Sequence, residues 1–143
     1  EQPAVFAELH ARLGAHIATW GMVQDPADYC RILQHSHIVL STALHEFQGL
    51  AVQEAVASGC VPLVPDRQAY PDFFAAPYRY PSWVDVPERE SAAIADRILQ
   101  WCEVGLPAVP DISALSWAQQ KTAYAAELEA LAKSNDRGLS KQT

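Results

Sequence analysis

Two short apolar segments most constrain how this chain can fold: "HIVLSTA" (37–43) and "CVPLVP" (60–65). The hydrophobic residues of the first segment are continuous rather than alternating, a pattern typical of a strand that is buried on both faces of a parallel sheet, and the second segment predicts the next strand. The apolar segment between them, from Gly49 to Ser58, predicts a helix that Gly59 is suited to end. A strand, a helix and a second strand together predict a parallel pair joined by a right-handed crossover.

The residues on the N-terminal side extend this alternation of strands and helices. An amphipathic spacing of apolar residues predicts a helix over 3–13. "AHIATWG" (15–21) predicts a strand closed by a glycine. Asp25 followed by Pro26 predicts a capped helix that runs to about Gln34.

The C-terminal side adds helices at 87–103 and at about 113–133, separated from the sheet by "YPDFFAAPYRYP" (70–81), which is expected to be mostly loop with one helical turn. The first of these helices carries an apolar stripe formed by Ile94, Ile98, Leu99 and Trp101. The whole pattern predicts an α/β fold, a three-layer Rossmann-like parallel sheet with helices on both faces. This domain would occupy residues 1–133, and 134–143 would be a frayed tail.

Composition narrows the classes of function. Of the 143 residues, 50% are hydrophobic and 19% are charged, as expected of a soluble globular protein without a membrane-spanning segment. The formal net charge of −7 argues against a direct grip on a nucleic-acid backbone by this segment. Three isolated cysteines, Cys30, Cys60 and Cys102, favour reduced thiols in the cytoplasm over disulfides or zinc.

The segment "HEFQGLAVQE" (45–54) lies where function is expected, because ligands of parallel sheets bind beyond the carboxyl ends of the strands. Gln48, Gly49 and Leu50 would place free N–H groups at a helix N-terminus, an arrangement that binds phosphate. Glu54, in a helix predicted to be buried, needs a partner and could accept hydrogen bonds from a ribose diol. Glu46 could face the group on the far side of the phosphates, so one fitting ligand is a nucleotide-sugar.

Other interpretations of these residues exist. Glu54 could be a salt-bridged core carboxylate, and Glu46 could be an ordinary loop residue. Asp25 could be only an N-cap, or it could also accept a hydrogen bond from a purine base. His45 and Glu46 resemble the start of a zinc-protease helix, but position 49 is glycine rather than histidine, so no metal is expected.

The segment "HEFQGLAVQEAVASGCVPLVP" (45–65) resembles the Glu-(seven residues)-Glu segment of retaining glycosyltransferases of the GT-B fold. The matching positions are Glu46, Gly49, Leu50, Glu54, Ala55 and Gly59. The order of elements before this segment is also similar, so the resemblance runs from about Ala15 to Phe74. Two positions depart from the usual pattern: Phe47 stands where the family has glycine, and Gln48 where it has phenylalanine.

The resemblance implies the donor-binding, C-terminal half of a hexosyltransferase, with Glu46 as the catalytic residue that contacts the donor sugar. The implied donor-binding residues are Gly21, Val23, Asp25, Thr42, His45, Phe47, Gln48, Gly49, Leu50 and Glu54. No cofactor and no metal are implied. Rivals are a GT-B nucleotide-sugar epimerase and a nucleotide-sugar-binding domain without catalysis.

A narrower resemblance, carried by "HEF" (45–47) and "YPDFF" (70–74), is to the queuosine-tRNA mannosyltransferase-like group. It implies GDP-mannose as the donor and tRNA as the acceptor, bound mainly by an N-terminal domain that this chain lacks. The domain's first strand and the basic residues for the diphosphate would also lie upstream. We therefore expect this segment alone to be inactive, and its unpaired sheet edge to invite dimerisation.

Overall fold

The structure is a computed structural model that describes residues 4–139, with side chains as far as Lys133. The chain divides between Arg31 and Ile32 into two compact units. The first unit contains helix α1 (Ala4–Leu13), a 3-10 turn (Gly14–His16) and the start of helix α2 (Pro26–Gln34). Both helices were predicted, and the carboxylate of Asp25 caps α2 by accepting a hydrogen bond from the Ala27 N–H at 2.8 Å.

The predicted strand at 15–21 is wrong. Its first two residues belong to the 3-10 turn, and the remainder of this segment adopts no helix or strand. The ring of Trp20 packs edge-on against Phe6 and His10 of α1, with centroid distances of 6.2 and 5.2 Å. A strand is stable only with a hydrogen-bonded neighbour, and this β-branched segment packs its aromatic residue against a helix instead.

The second unit begins with the predicted strand–helix–strand motif: β1 (Ile38–Leu40), α3 (Leu50–Ala57) and β2 (Val61–Pro65). β1 and β2 pair in parallel with Ile38 opposite Val61. All five residues of β2 are buried, as expected for the middle of a parallel sheet that is covered on both faces. β1 is shorter than predicted and is not buried on both faces, because it lies at the edge of the described sheet; its Leu40 is 46% exposed.

A third strand lies in the segment that was expected to be mostly loop. Helix α4 (Tyr70–Phe73) is the predicted helical turn, and after a 3-10 turn the two-residue strand β3 (Arg79–Tyr80) pairs in parallel with β2. Helix α5 (Pro87–Val104), a further 3-10 turn and helix α6 (Trp117–Leu139) complete the described chain.

Two apolar clusters lie on opposite faces of β2, because successive residues of a strand point to opposite sides. On one face Val64 packs with residues of α3 and α4, and on the other Leu63 packs with Tyr80 and with Trp101 of α5. Leu99 is 61% exposed, so its predicted place in the apolar stripe of α5 is wrong. Helices on both faces of a parallel sheet confirm the predicted α/β, Rossmann-like class.

The predicted C-terminal tail overlaps the last helix of the structure. The predicted tail at 134–143 begins inside α6, and its last four residues lie outside the described residues. None of the helices that the structure describes is long and apolar enough to cross a membrane.

Candidate functional site

The loops that follow the three strands meet at one edge of the sheet, because the carboxyl ends of parallel strands lie on the same side. Residues 41–49 follow β1, 66–69 follow β2 and 81–86 follow β3. Here Arg67 of the second loop donates hydrogen bonds to backbone carbonyls of the first loop and to Ser82 of the third. This carboxyl edge is therefore the first place to look for a ligand site.

Arg67, two residues after β2, connects these loops through hydrogen bonds. Its side chain is only 8% exposed, and its Nε donates to the Ala43 carbonyl at 3.0 Å. Its Nη2 donates to the Thr42 carbonyl at 3.3 Å, and its Nη1 donates to Ser82 Oγ at 2.8 Å and to Glu90 Oε1 at 2.5 Å. One buried guanidinium thus connects the loop after β1 with the loop after β3 and with α5.

Glu90 completes this buried ion pair from the first turn of α5, and its Oε1 also accepts the Trp83 N–H at 2.5 Å. Burial acts to raise the pKa of Glu90, but the hydrogen bonds from Arg67 and Trp83 outweigh it and lower the pKa. The carboxylate is therefore ionised at neutral pH. Neither residue was predicted from the sequence; the available signal was an arginine two residues after a fully apolar strand.

Glu46 closes the N-terminal end of α3. Its Oε1 accepts hydrogen bonds from the backbone N–H groups of Phe47, Gln48 and Gly49 at 3.0, 3.3 and 2.8 Å. The bonds from Gly49 and Gln48 are the main cause of its lowered pKa. The expectation that Gln48 and Gly49 present free N–H groups is therefore wrong, because the carboxylate of the same loop already binds them.

Some capacity for hydrogen bonding remains at this helix end. Within the described residues, the N–H groups of Leu50 and Ala51 have no acceptor, as expected for the first turn of a helix. The second carboxylate oxygen of Glu46, Oε2, likewise receives no hydrogen bond from the described part of the chain. These groups lie at the helix end where the sequence predicts a phosphate-binding position.

Gly49 is required by the backbone and by its contact with Tyr70. Its φ is +71°, and a Cβ added there would lie 3.0 Å from Tyr70 Cε1.

The buried Tyr70 hydroxyl bonds Ser41 Oγ at 2.7 Å, and the Tyr80 hydroxyl donates to the Ser41 carbonyl at 2.9 Å. Burial raises the pKa of Tyr70 and raises that of Tyr80 to about 12, so both rings stay neutral.

Glu54 is exposed, and its predicted burial is wrong. The buried polar residue of α3 is its neighbour Gln53, whose Nε2 donates to the Gln48 carbonyl at 2.7 Å. Glu54 instead lines a groove of about 490 Å³ between α3 and the segment 110–116. We call this space the α3 groove. Its lining residues are Leu50, Gln53, Glu54, Val56, Ala57, Pro110, Asp111, Ile112, Ser113, Leu115 and Ser116.

The other predicted site residues fall into two groups. His45 and Phe47 are exposed on the loop after β1, with Phe47 at 96%, and Thr42 is held there through its carbonyl. Gly21, Val23 and Asp25 belong to the first unit. No group of three His, Cys, Asp or Glu side chains in the described part of the chain could hold a metal ion.

The fold and the site define the class of protein: it is an α/β domain in which polar groups lie at the carboxyl edge of a Rossmann-like parallel sheet. Over 74 residues the chain is 35% identical to the tRNA-queuosine alpha-mannosyltransferase of Drosophila melanogaster. The aligned residues are 52% of this chain and 19% of that protein, so the chain spans about a fifth of this relative's length. No family model and no solved structure matches the chain. The similarity supports a distant relation to glycosyltransferases.

Proposed function

We propose that this chain is the nucleotide-sugar-binding part of a retaining glycosyltransferase of the GT-B fold. The observation that carries the proposal is the placement of Glu46 at the N-terminus of α3 and of Glu54 in the adjacent α3 groove. The donor would be GDP-mannose, as the sequence resemblance implies; mannose as the sugar and queuosine in tRNA as the acceptor are in keeping with the named activity of the similar protein. Other parts of the enzyme would bind the acceptor.

Each part of the donor has a place in this proposal. The carboxylate of Glu54 accepts hydrogen bonds from the two ribose hydroxyls, which are good donors to a charged acceptor. The N–H groups of Leu50 and Ala51 donate to the diphosphate, which the positive end of the helix dipole also favours. Oε2 of Glu46 accepts from a hydroxyl of the hexose, while Oε1 keeps its three backbone bonds.

The chemistry needs no nucleophile from this chain. The bond between the sugar carbon and the diphosphate oxygen breaks, a bond to the acceptor oxygen forms on the same face, and the acceptor proton passes to the departing diphosphate. Fixed donors stabilise the charge that grows on the diphosphate. The proposal requires no metal, and Arg67 does not supply the positive charge because Glu90 and two backbone carbonyls already bind it.

The full-length protein should be stabilised against heat by GDP-mannose and should transfer mannose to tRNA that contains queuosine. A screen of melting temperature with GDP-mannose, UDP-glucose and related donors tests binding, and incorporation of labelled mannose tests transfer. Stabilisation by a different donor would correct the base or the sugar. Absence of any effect from all nucleotide-sugars would contradict the proposed function.

In the same protein, Glu54→Gln is expected to weaken nucleotide binding roughly ten- to hundredfold. The substitution keeps the volume but removes the charge, and charge-assisted hydrogen bonds contribute about 1.5–3 kcal/mol. Calorimetric titration with the nucleoside diphosphate measures the effect. Glu103→Gln, an exposed carboxylate near the end of α5, is the matched control and should bind as the wild type does. Unchanged affinity in Glu54→Gln would remove this residue from the site.

Glu46→Gln should reduce turnover by roughly tenfold or more while GDP binding changes little. Glutamine keeps an oxygen that can accept the three backbone N–H groups, so the start of α3 should survive, whereas Glu46→Ala should cost about 1 kcal/mol of stability. Comparing the affinities for GDP and for GDP-mannose with the turnover number separates these effects. An equal loss of affinity for both ligands would mean that Glu46 does not contact the sugar.

A further inference from the structure

In the part of the chain that the structure describes, the ionisable side chains that line the α3 groove are acidic. Its two ionisable residues are Glu54 on the helix and Asp111 on the segment 110–116, and no Lys or Arg of the described chain lines it. The walls beside them are mostly apolar, including Val56 and Ile112. A mostly apolar groove of this volume with a few polar groups is typical of small-molecule sites. Its charge favours a ligand part that offers hydrogen-bond donors and carries no phosphate.

Asp111 is held in place for such a ligand. Its Oδ1 accepts the Ser113 N–H at 2.8 Å, and this backbone bond lowers the pKa of the carboxyl group. The side chain is therefore ionised at neutral pH and acts only as an acceptor. A carboxylate has about four acceptor positions, and the backbone N–H and the side chain of Ser113 occupy two of them, so Asp111 can accept further hydrogen bonds from a ligand.

We propose that Asp111 is a specificity-determining residue that selects guanine as the base of the donor nucleotide. Guanine offers two adjacent donors on one edge, N1–H and the N2 amino group, which a carboxylate can accept side by side. Uracil offers a single N–H, and adenine has an acceptor at N1 beside its amino group. The inference rests on the proposed function, because Glu54 would hold the ribose in the same groove and so direct the base toward the opposite wall.

If Asp111 selects guanine, the wild-type protein should bind nucleoside diphosphates in a defined order of affinity. Calorimetric titration of the full-length protein with GDP, IDP, ADP and UDP should give the tightest binding to GDP. IDP, which lacks the amino group at position 2, should bind less tightly than GDP, and UDP and ADP should bind roughly ten- to hundredfold less tightly than GDP. Equal affinity for GDP and UDP would overturn the assignment of Asp111 and leave the proposed function standing. No binding of any nucleoside diphosphate would overturn both.

The variant Asp111→Asn replaces one hydrogen-bond acceptor of this side chain with a donor. Asparagine keeps the oxygen that accepts the Ser113 N–H, so the segment should retain its conformation, but its amide group donates where a carboxylate oxygen accepted. Affinity for GDP should fall roughly tenfold or more, whereas affinity for xanthosine diphosphate, which has a carbonyl oxygen at position 2, should rise. Affinity for UDP should stay the same.

The control is Asp96→Asn, an exposed carboxylate on α5 that does not line the groove. It should leave the affinities for all five nucleotides unchanged. A loss of the same factor for every nucleotide in Asp111→Asn would show a merely structural role and overturn the proposal. No change for GDP or for xanthosine diphosphate would overturn it as well.

Discussion

Replacing Arg67 by methionine is expected to lower the free energy of unfolding by about 3–5 kcal/mol, the usual cost of leaving a buried charge without its partner. Glu90, with a side chain 11% exposed, would lose its guanidinium, and the carbonyls of Thr42 and Ala43 would lose their donors. Denaturation of the 143-residue chain by urea measures the change. The matched control is Arg12→Met.

Arg12 is suited as the control because its side chain is 73% exposed and its pairing with Glu8 is long, at 3.7 Å. Exposed pairs of this kind contribute between 0 and about 1 kcal/mol. The double variant Arg67→Met with Glu90→Leu should recover part of the loss, since it removes both buried charges. An Arg67→Met protein as stable as Arg12→Met would show that the buried pair does not hold the loops together.

The effect of Arg67→Met should also depend on pH. In the wild type the folded-state pKa of Glu90 is lowered, so its contribution to stability is complete above the unfolded-state pKa of about 4.3 and is lost as the pH falls through the folded-state pKa. Without Arg67 the folded-state pKa of Glu90 rises relative to the wild type. The variant therefore gains more than the wild type from protonation, and the difference between their unfolding free energies should shrink below about pH 4.

The sequence predicts a strand of this sheet correctly where the apolar pattern of the strand agrees with its position in the sheet. β2 is apolar along its whole length and lies between two neighbours, so its pattern and its position agree. β1 has a similar pattern but lies at the edge, and nothing within 37–43 indicates which strand has neighbours on both sides. The two-residue strand β3 is too short to give a periodic signal, and it forms because β2 pairs with it.

The sequence predicts where a candidate site lies along the chain, but it does not reveal the contacts among the residues there. Helix α3 is so apolar that its periodicity does not identify the buried face, and Gln53 rather than Glu54 is directed inward. The link between Arg67 and Glu90 joins residues 23 positions apart, which no local pattern reveals. The bonds of Glu46 to the next three N–H groups are local, and a carboxylate just before a helix is the kind of residue that caps it.

Gly49→Ala is expected to lower the free energy of unfolding by about 2–4 kcal/mol, which adds the cost of a left-handed backbone to that of overpacking. The φ of +71° is unfavourable for alanine, and the new Cβ would lie 3.0 Å from a ring carbon of Tyr70. That ring cannot move aside easily, because it is buried and its hydroxyl bonds Ser41 at 2.7 Å. The start of α3 should shift, and with it the N–H groups that Glu46 holds.

The matched control is Gly14→Ala, since a Cβ at Gly14 would have no atom of the described chain within 4 Å and its φ is not positive. Thermal and urea denaturation should show little change in this control. Nucleotide affinity of the full-length Gly49→Ala protein should also fall, because the Leu50 and Ala51 donors follow directly after the strained residue. Equal stability of the two variants would mean that neither the backbone conformation of Gly49 nor its contact with Tyr70 constrains the loop that carries Glu46.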